Sequence, residues 1–214
     1  EARRLGGHRQ VGAGDELFFP AIVKPMRLDA SQGISKASVV YDRADLVERV
    51  RFVHQKLGDA AIVEDYIEGR ELYVSLIGNG EKLRILPIIE LLFDPDKSKP
   101  EDRIATKQKK WKDQSGPKPK VRQVMARPLS ALALQRIEAT CREGFRALWL
   151  RDSARFDLRL DGDDNVWVLE ANANPYPSEG HEIANSAKKA GMNYADFIEE
   201  LLHIASSRIK DPES

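Results

Sequence analysis

Two periods organise the hydrophobic and polar positions of this chain, one near 2 and one near 3.6. Phe19 to Lys24 is an apolar run closed by Pro25 and reads as a strand. Met26 to Ser35 reads as a polar loop containing Gly33, and Ala37 to Val40 as a second short strand. Asp42 can cap a helix that carries Leu46, Val50, Val53 and Leu57 on one stripe. Ala60 to Glu64 and Glu71 to Ile77 read as strands, and Asn79-Gly80 as a hairpin turn into a strand over Lys82 to Ile89. Ser98 to Lys120 is a long polar connection. Leu132 to Leu150 is amphipathic, with Leu134, Ile137, Cys141, Phe145 and Leu148 on its stripe, so Cys141 reads as core. Tyr194 to Ser206 is a helix capped by Asn193. The order of elements predicts an α+β fold with mostly antiparallel strands.

Composition narrows the classes. Apolar residues at 42% and charged residues at 32% describe a globular chain and exclude a disordered one. The longest apolar stretch, Ile85 to Phe93, is interrupted by Pro87 and Glu90, so no membrane span is expected. The opening residues carry no signal-peptide pattern. One cysteine among 214 residues excludes an intrachain disulfide framework and suits a reducing, cytoplasmic compartment. Lys+Arg and Asp+Glu number 34 each, and a net charge of zero argues against nucleic-acid binding. The charge is segregated, however. Lys107, Lys109, Lys110, Lys112, Lys118, Lys120, Arg122 and Arg127 crowd one stretch, and Asp152, Asp157, Asp161, Asp163, Asp164 and Glu170 another. These are either two solvated patches or one site holding a polyanion with its metal ions.

The segment from Arg155 to Asn172 alternates, turns at Asp161 to Asp164, and alternates again. Pairing Leu160 with Asn165 sets Asp157 opposite Val168 and Arg155 opposite Glu170. Period two then gives a core face of Phe156, Leu158, Leu160, Trp167 and Leu169. The other face holds Arg155, Asp157, Arg159, Val166, Val168, Glu170 and Asn172. Asp157 and Glu170 become diagonal neighbours, about 7–8 Å apart at the backbone. Two carboxylates and the Asn172 amide are hard oxygen ligands, suited to magnesium with water and phosphates and not to zinc.

With these residues in hand, the chain resembles the ATP-grasp superfamily, in its D-alanine–D-alanine ligase-like branch. The resemblance is carried by Arg155-Phe-Asp157, by Leu169-Glu170-Ala-Asn172-Ala-Asn-Pro175, by His181-Glu-Ile and by Lys188-Lys-Ala-Gly-Met192. Ile22-Val-Lys24-Pro, the loop to Ser35-Lys36, and Val63-Glu64-Asp-Tyr-Ile-Glu-Gly-Arg-Glu71 precede them in the same order. It covers roughly residues 18 to 205, and its specificity lies in the ordered combination. The resemblance implies two α+β subdomains with mostly antiparallel sheets clamping ATP. The lid subdomain would be partial, over 18–66, and the large subdomain, with the metal site, would span 67–207. Residues 1–17 would be a tail or truncated end and 208–214 a tail.

The resemblance also implies roles. Lys24 would contact the α- and β-phosphates. The Asp29–Ser35 loop, with Ser31, Gly33 and Ser35, would close over the phosphates. Glu64, Tyr66 and Ile67 would read the adenine edge and Glu71 the ribose hydroxyls. Lys110, before Trp111, would reach the terminal phosphate, a task Lys107 or Lys109 could take instead. Asp157, Glu170 and Asn172 would hold Mg2+ or Mn2+, with Arg155 the catalytic arginine. The implied activity is ATP-dependent ligation of a carboxylate to an amine through an acylphosphate, on an amino acid or small peptide. A truncated or non-catalytic ATP-binding module of a larger protein is the alternative. The implied partners are ATP, the two small substrates and an absent amino-terminal domain. Tyr176, where this family has glycine after the motif proline, and Glu182, where it has serine near the second substrate, argue against D-alanine as the incoming group.

Overall fold

The computed structural model of the protein describes residues 18–28, 32–93 and 121–210, with side chains described through residue 207. The chain divides into two compact units, Glu1–Glu68 with Leu92–Arg122 and Gly69–Leu91 with Gln123–Ser214.

In the first unit, β1 (Ala21–Pro25) lies between β2 (Val39–Val40) and β3 (Ala61–Asp65), antiparallel to both. Helix α1 (Arg43–Phe52) starts at Asp42, whose carboxylate accepts from the Asp45 amide at 2.9 Å, satisfying one of the open helix-start donors. A π-helical turn, Val53–Leu57, continues it to Gly58, which stops it in the left-handed conformation. Leu46, Val50, Val53 and Leu57 all join the core over Ala21, Val23 and Val40, as their spacing predicts. The expected strand over Ala37 to Val40 is shorter than predicted, because Lys36–Ser38 is a 3-10 turn. The Ser38 hydroxyl bends the chain there by accepting from the Ser35 amide at 3.0 Å.

The second unit is built on a six-stranded sheet. Its order is β7 (Val121–Met125), β6 (Ile89–Phe93), β4 (Arg70–Ile77), β8 (Ser153–Leu160) and β9 (Val166–Asn172), with β5 (Arg84–Ile85) also on β4. Leu72, Val74 and Leu76 of β4 and Phe156, Leu158 and Leu160 of β8 face α2 (Ala131–Ala147). Its stripe of Ala133, Ile137, Cys141 and Phe145 completes that core. Gly144 lets the helix lie close, since a Cβ there would meet Phe156 Cε1 at 2.7 Å. Burial pushes the Cys141 thiol up to about 12, so it is inert core, as read. On the opposite face, α3 (Glu182–Lys189) and α4 (Tyr194–Lys210) pack on Ile77 and Leu86.

Several expectations are corrected. Leu134 and Leu148, expected on the α2 stripe, are exposed, and Ala133 takes the place in the core. Asn79-Gly80 is no two-residue hairpin turn. The Asn79 side chain is exchanged with Asp152, donating to its carboxylate at 2.8 Å and accepting from its amide at 2.9 Å. The following strand divides into β5 and β6 around Pro87, which has no N–H for a ladder. In the β8–β9 hairpin, Leu160 pairs with Val166 and not with Asn165. Asp161 draws Asn165 into the turn, accepting from its amide at 2.8 Å and its side chain at 3.0 Å. A β-bulge at Leu169 then restores the parity, so that Asp157 faces Glu170 and Arg155 faces Asn172. Val166 and Val168 therefore belong to the core, where Trp167 and Leu169 were expected. Strand β7 and helix α3 were not foreseen.

Candidate nucleotide and metal site

Each unit has one sheet face that carries candidate site residues. In the first unit, Ala21 and Val23 point into the core, which turns Ile22 and Lys24 to the other side of β1. Ile22 pairs with Glu64 and Lys24 with Ile62, so Lys24 and Glu64 are diagonal neighbours, and they form an ion pair. Tyr66 and Ile67 follow β3, and the Tyr66 amide donates to Pro20 O at 3.0 Å. Gly33 has φ +70°, and a Cβ on it would meet Leu57 Cδ1 at 2.6 Å and Pro25 Cγ at 2.8 Å. Its carbonyl accepts from the buried Arg49 guanidinium, which also donates to Ser38 Oγ at 2.9 Å. Ser35 is exposed at the start of the 3-10 turn. Ser31, Asp29, Lys107, Lys109, Lys110 and Trp111 lie outside the described residues.

In the second unit, the face of β4 and β8 turned away from α2 carries three registered rows. Glu71 faces Arg159, which faces Trp167. Tyr73 faces Asp157, which faces Glu170. Ser75 faces Arg155, which faces Asn172. The structure thus brings Glu71, Arg155, Asp157, Glu170 and Asn172 onto one face, with Asp157 and Glu170 directly opposed and not diagonal. Arg155 Nε and Nη2 donate to the two Asp157 oxygens at 2.6 and 3.2 Å, and Nη1 donates to Glu182 at 3.2 Å. Its guanidinium carbon lies 4.8 Å from the Tyr73 ring centre. Burial works against the Arg155 charge, but Asp157, and after it Glu182, hold its pKa above the ordinary arginine value. Burial first, then the Glu71 and Asp157 charges, push the Tyr73 phenol far upward.

Two neighbours, Arg159 and Tyr73, carry no role in the sequence analysis, and Glu182 stands there only as a departure near the second substrate. Glu182, at the start of α3, also accepts from Gln123 Nε2 at 3.0 Å, linking Arg155 to β7. Arg159 Nη2 donates to Glu71 at 2.8 Å, with both side chains 6% exposed. Tyr73 alternates with Glu71 and Ser75 along β4, so period two would have put it on this face. Asn172 Oδ1 accepts from the Asn174 amide at 3.0 Å, and Glu170 is exposed. Among the described residues no three His, Cys, Asp or Glu cluster as a metal cradle. A cation here would therefore rest on two carboxylates, the Asn172 oxygen and outside ligands, the donor set magnesium takes with phosphates and water. His181 lies at the α3 start, its ring edge-to-face with Tyr176 at 4.6 Å between centroids.

The family described as "D-ala D-ala ligase C-terminus" matches residues 8–203. The uncharacterized protein y4sG of Sinorhizobium fredii is 34% identical over 94% of this chain and 56% of its own length. A D-alanine–D-alanine ligase of Bordetella avium is 27% identical over 92% of this chain and 57% of its own. The chain thus spans little more than half the length of these relatives. The D-alanine–D-alanine ligase of Bacillus anthracis complexed with ATP superposes with a TM-score of 0.67 at 21% identity, over 98% of this chain and 62% of that one. The VanG D-Ala:D-Ser ligase of Enterococcus faecalis gives 0.67 at 18% identity, over 88% of this chain and 50% of that one. At those identities the superpositions speak for the fold. The chain has the α+β ATP-grasp fold and belongs to the family of D-Ala–D-Ala ligase carboxy-terminal parts.

Proposed function

We propose that this chain is the nucleotide- and metal-binding part of a cytoplasmic, ATP-dependent carboxylate–amine ligase acting on an amino acid or small peptide. The observation that carries the reading is the pair of adjacent rows Tyr73–Asp157–Glu170 and Ser75–Arg155–Asn172. They set two carboxylates, an amide oxygen and a guanidinium on one sheet face.

Lys24 is assigned to the α- and β-phosphates, Glu64, Tyr66 and Ile67 to the adenine edge, and Glu71 to the ribose. Ser31, Gly33 and Ser35 belong to the loop that closes on the phosphates, and Lys110 to the terminal phosphate. Asp157, Glu170 and Asn172 would hold Mg2+ or Mn2+, which would supply charge neutralisation for the nucleotide phosphates. The substrate carboxylate oxygen attacks the γ-phosphorus and the bond to the β-phosphate oxygen breaks, leaving ADP and an acylphosphate. The amine nitrogen then attacks the acyl carbon, loses a proton, and phosphate departs. Arg155 stabilises the negative charge that develops on the transferring and tetrahedral centres. Glu182 brings a carboxylate to within 3.2 Å of that guanidinium, which supports an acceptor amine other than D-alanine.

A complete enzyme is expected to release ADP. AMP with pyrophosphate would sink the mechanism. Asp157→Asn and Glu170→Gln are each expected to abolish metal-dependent ATP turnover, and undiminished turnover in both would remove the metal assignment. A second reading is an ATP-binding module without turnover of its own. Titrating Mg·ATP onto the chain and then assaying turnover with candidate amino acids separates the two.

A further inference from the structure

Resting on the assignment of Glu71 to the ribose, we propose that Arg159 is the positioning residue of that recognition. Preference for ATP over 2′-deoxy-ATP would then depend on Arg159 as much as on Glu71. The two residues are directly opposed on β4 and β8. Arg159 Nη2 donates to Glu71 Oε2 at 2.8 Å, and each side chain is 6% exposed. Burying a carboxylate that deep is costly unless a partner donates to it, and it turns to face that partner. An ionised carboxylate has about four acceptor positions, so one bond to Arg159 leaves capacity for a hydroxyl. The contact is made by one N–H, Nη2, of a planar guanidinium whose donors are pre-oriented, which a freely rotating ammonium does not reproduce.

The row continues to Trp167 on β9, opposite Arg159. Trp167 Nε1 donates to Asp161 Oδ2 at 3.0 Å, which anchors the indole at this end of the sheet. Arg159 therefore stands between Glu71 on one neighbouring strand and an anchored aromatic on the other. In this positioning role Arg159 touches no substrate. It acts through Glu71.

The test is equilibrium binding of Mg·ATP and Mg·2′-deoxy-ATP to the 214-residue chain. Wild type is compared with Glu71→Gln, Arg159→Met and Arg159→Lys, together with the denaturation midpoint of each apo protein. Wild type is expected to prefer ATP by about tenfold, the scale of one hydrogen bond to a charged group. Glu71→Gln and Arg159→Met each lose the preference, and Arg159→Lys keeps only part of it. A role confined to stability would shift the midpoint and leave the ATP/2′-deoxy-ATP ratio unchanged. If Arg159→Met does not fold, Arg159→Lys decides on the same ratio. A folded Arg159 variant with wild-type preference, beside a Glu71→Gln that has lost it, overturns the proposal and leaves the ribose assignment standing. No preference in wild type, or an unchanged one in Glu71→Gln, overturns both.

Discussion

Glu90 is 1% exposed and sits on β6 opposite Leu72, on the α2 side of the sheet. Arg70 Nε and Nη2 donate to it at 3.0 and 2.8 Å, and Arg127 Nη2 and amide at 2.5 and 3.0 Å. Burial alone would raise its pKa, but Arg70 and then Arg127 bring it down to about 2. A folded value below the unfolded one means stability present above about pH 4.5 and lost as pH falls toward 2, about 3 kcal/mol in all. Urea unfolding of wild type and Glu90→Gln across that window is the check, with the difference between them expected to shrink as the solution acidifies. Gly33 makes a second case at this scale. A side chain there meets both the left-handed backbone and the Leu57 and Pro25 side chains. Gly33→Ala is expected to cost about 1–2 kcal/mol in denaturant unfolding. Gly33 is thus explained by packing before any phosphate is invoked.

The caps tie elements together as well as ending them. Ser130 Oγ accepts from the Ala133 amide at 2.9 Å at the start of α2 and donates to Asp164 in the β8–β9 turn at 2.6 Å. Ser130→Ala is expected to lower stability by about 1 kcal/mol, measured by chemical denaturation. Much of this architecture was legible from period and caps. Leu46 to Leu57 and Ile137 to Phe145 go where their spacing puts them, because a helix stripe depends only on local geometry. The β8–β9 register was not legible. It depends on the Asp161 carboxylate gathering the Asn165 amide, the Asn165 side chain and Trp167 Nε1, and on a bulge two turns of alternation later. The two departures compensate for Glu170 and Asn172, which reach the expected face, while Val166 and Val168 exchange sides with Trp167. The contacts of Glu182 with Arg155 and with Gln123 were hidden for a different reason. Glu182 and Gln123 come from elements far away in sequence, and only tertiary packing delivers them.

At the scale of the molecule, the zero net charge is a sum over regions of opposite sign, and the site inherits that segregation. Within the second unit the rows carry Glu71, Asp157 and Glu170 against Arg155 and Arg159, with Glu182 adding a further acid beside Arg155. Three acids against two bases become four against two once Glu182 is counted. A sheet face with that excess of carboxylates would be stabilised by a divalent cation and would repel a bare polyphosphate. ATP and metal should therefore stabilise the protein together and not separately. At a hundredfold excess over its Kd, Mg·ATP is expected to raise the unfolding free energy by about 2.7 kcal/mol. ATP with EDTA should give a much smaller gain, and EDTA alone should leave the apo protein unchanged. Asp157→Asn should fold yet lose the metal-dependent part of the gain. Thermal or urea unfolding under these conditions reads the coupling directly, and equal stabilisation by ATP with and without metal would show that the carboxylate rows hold no cation.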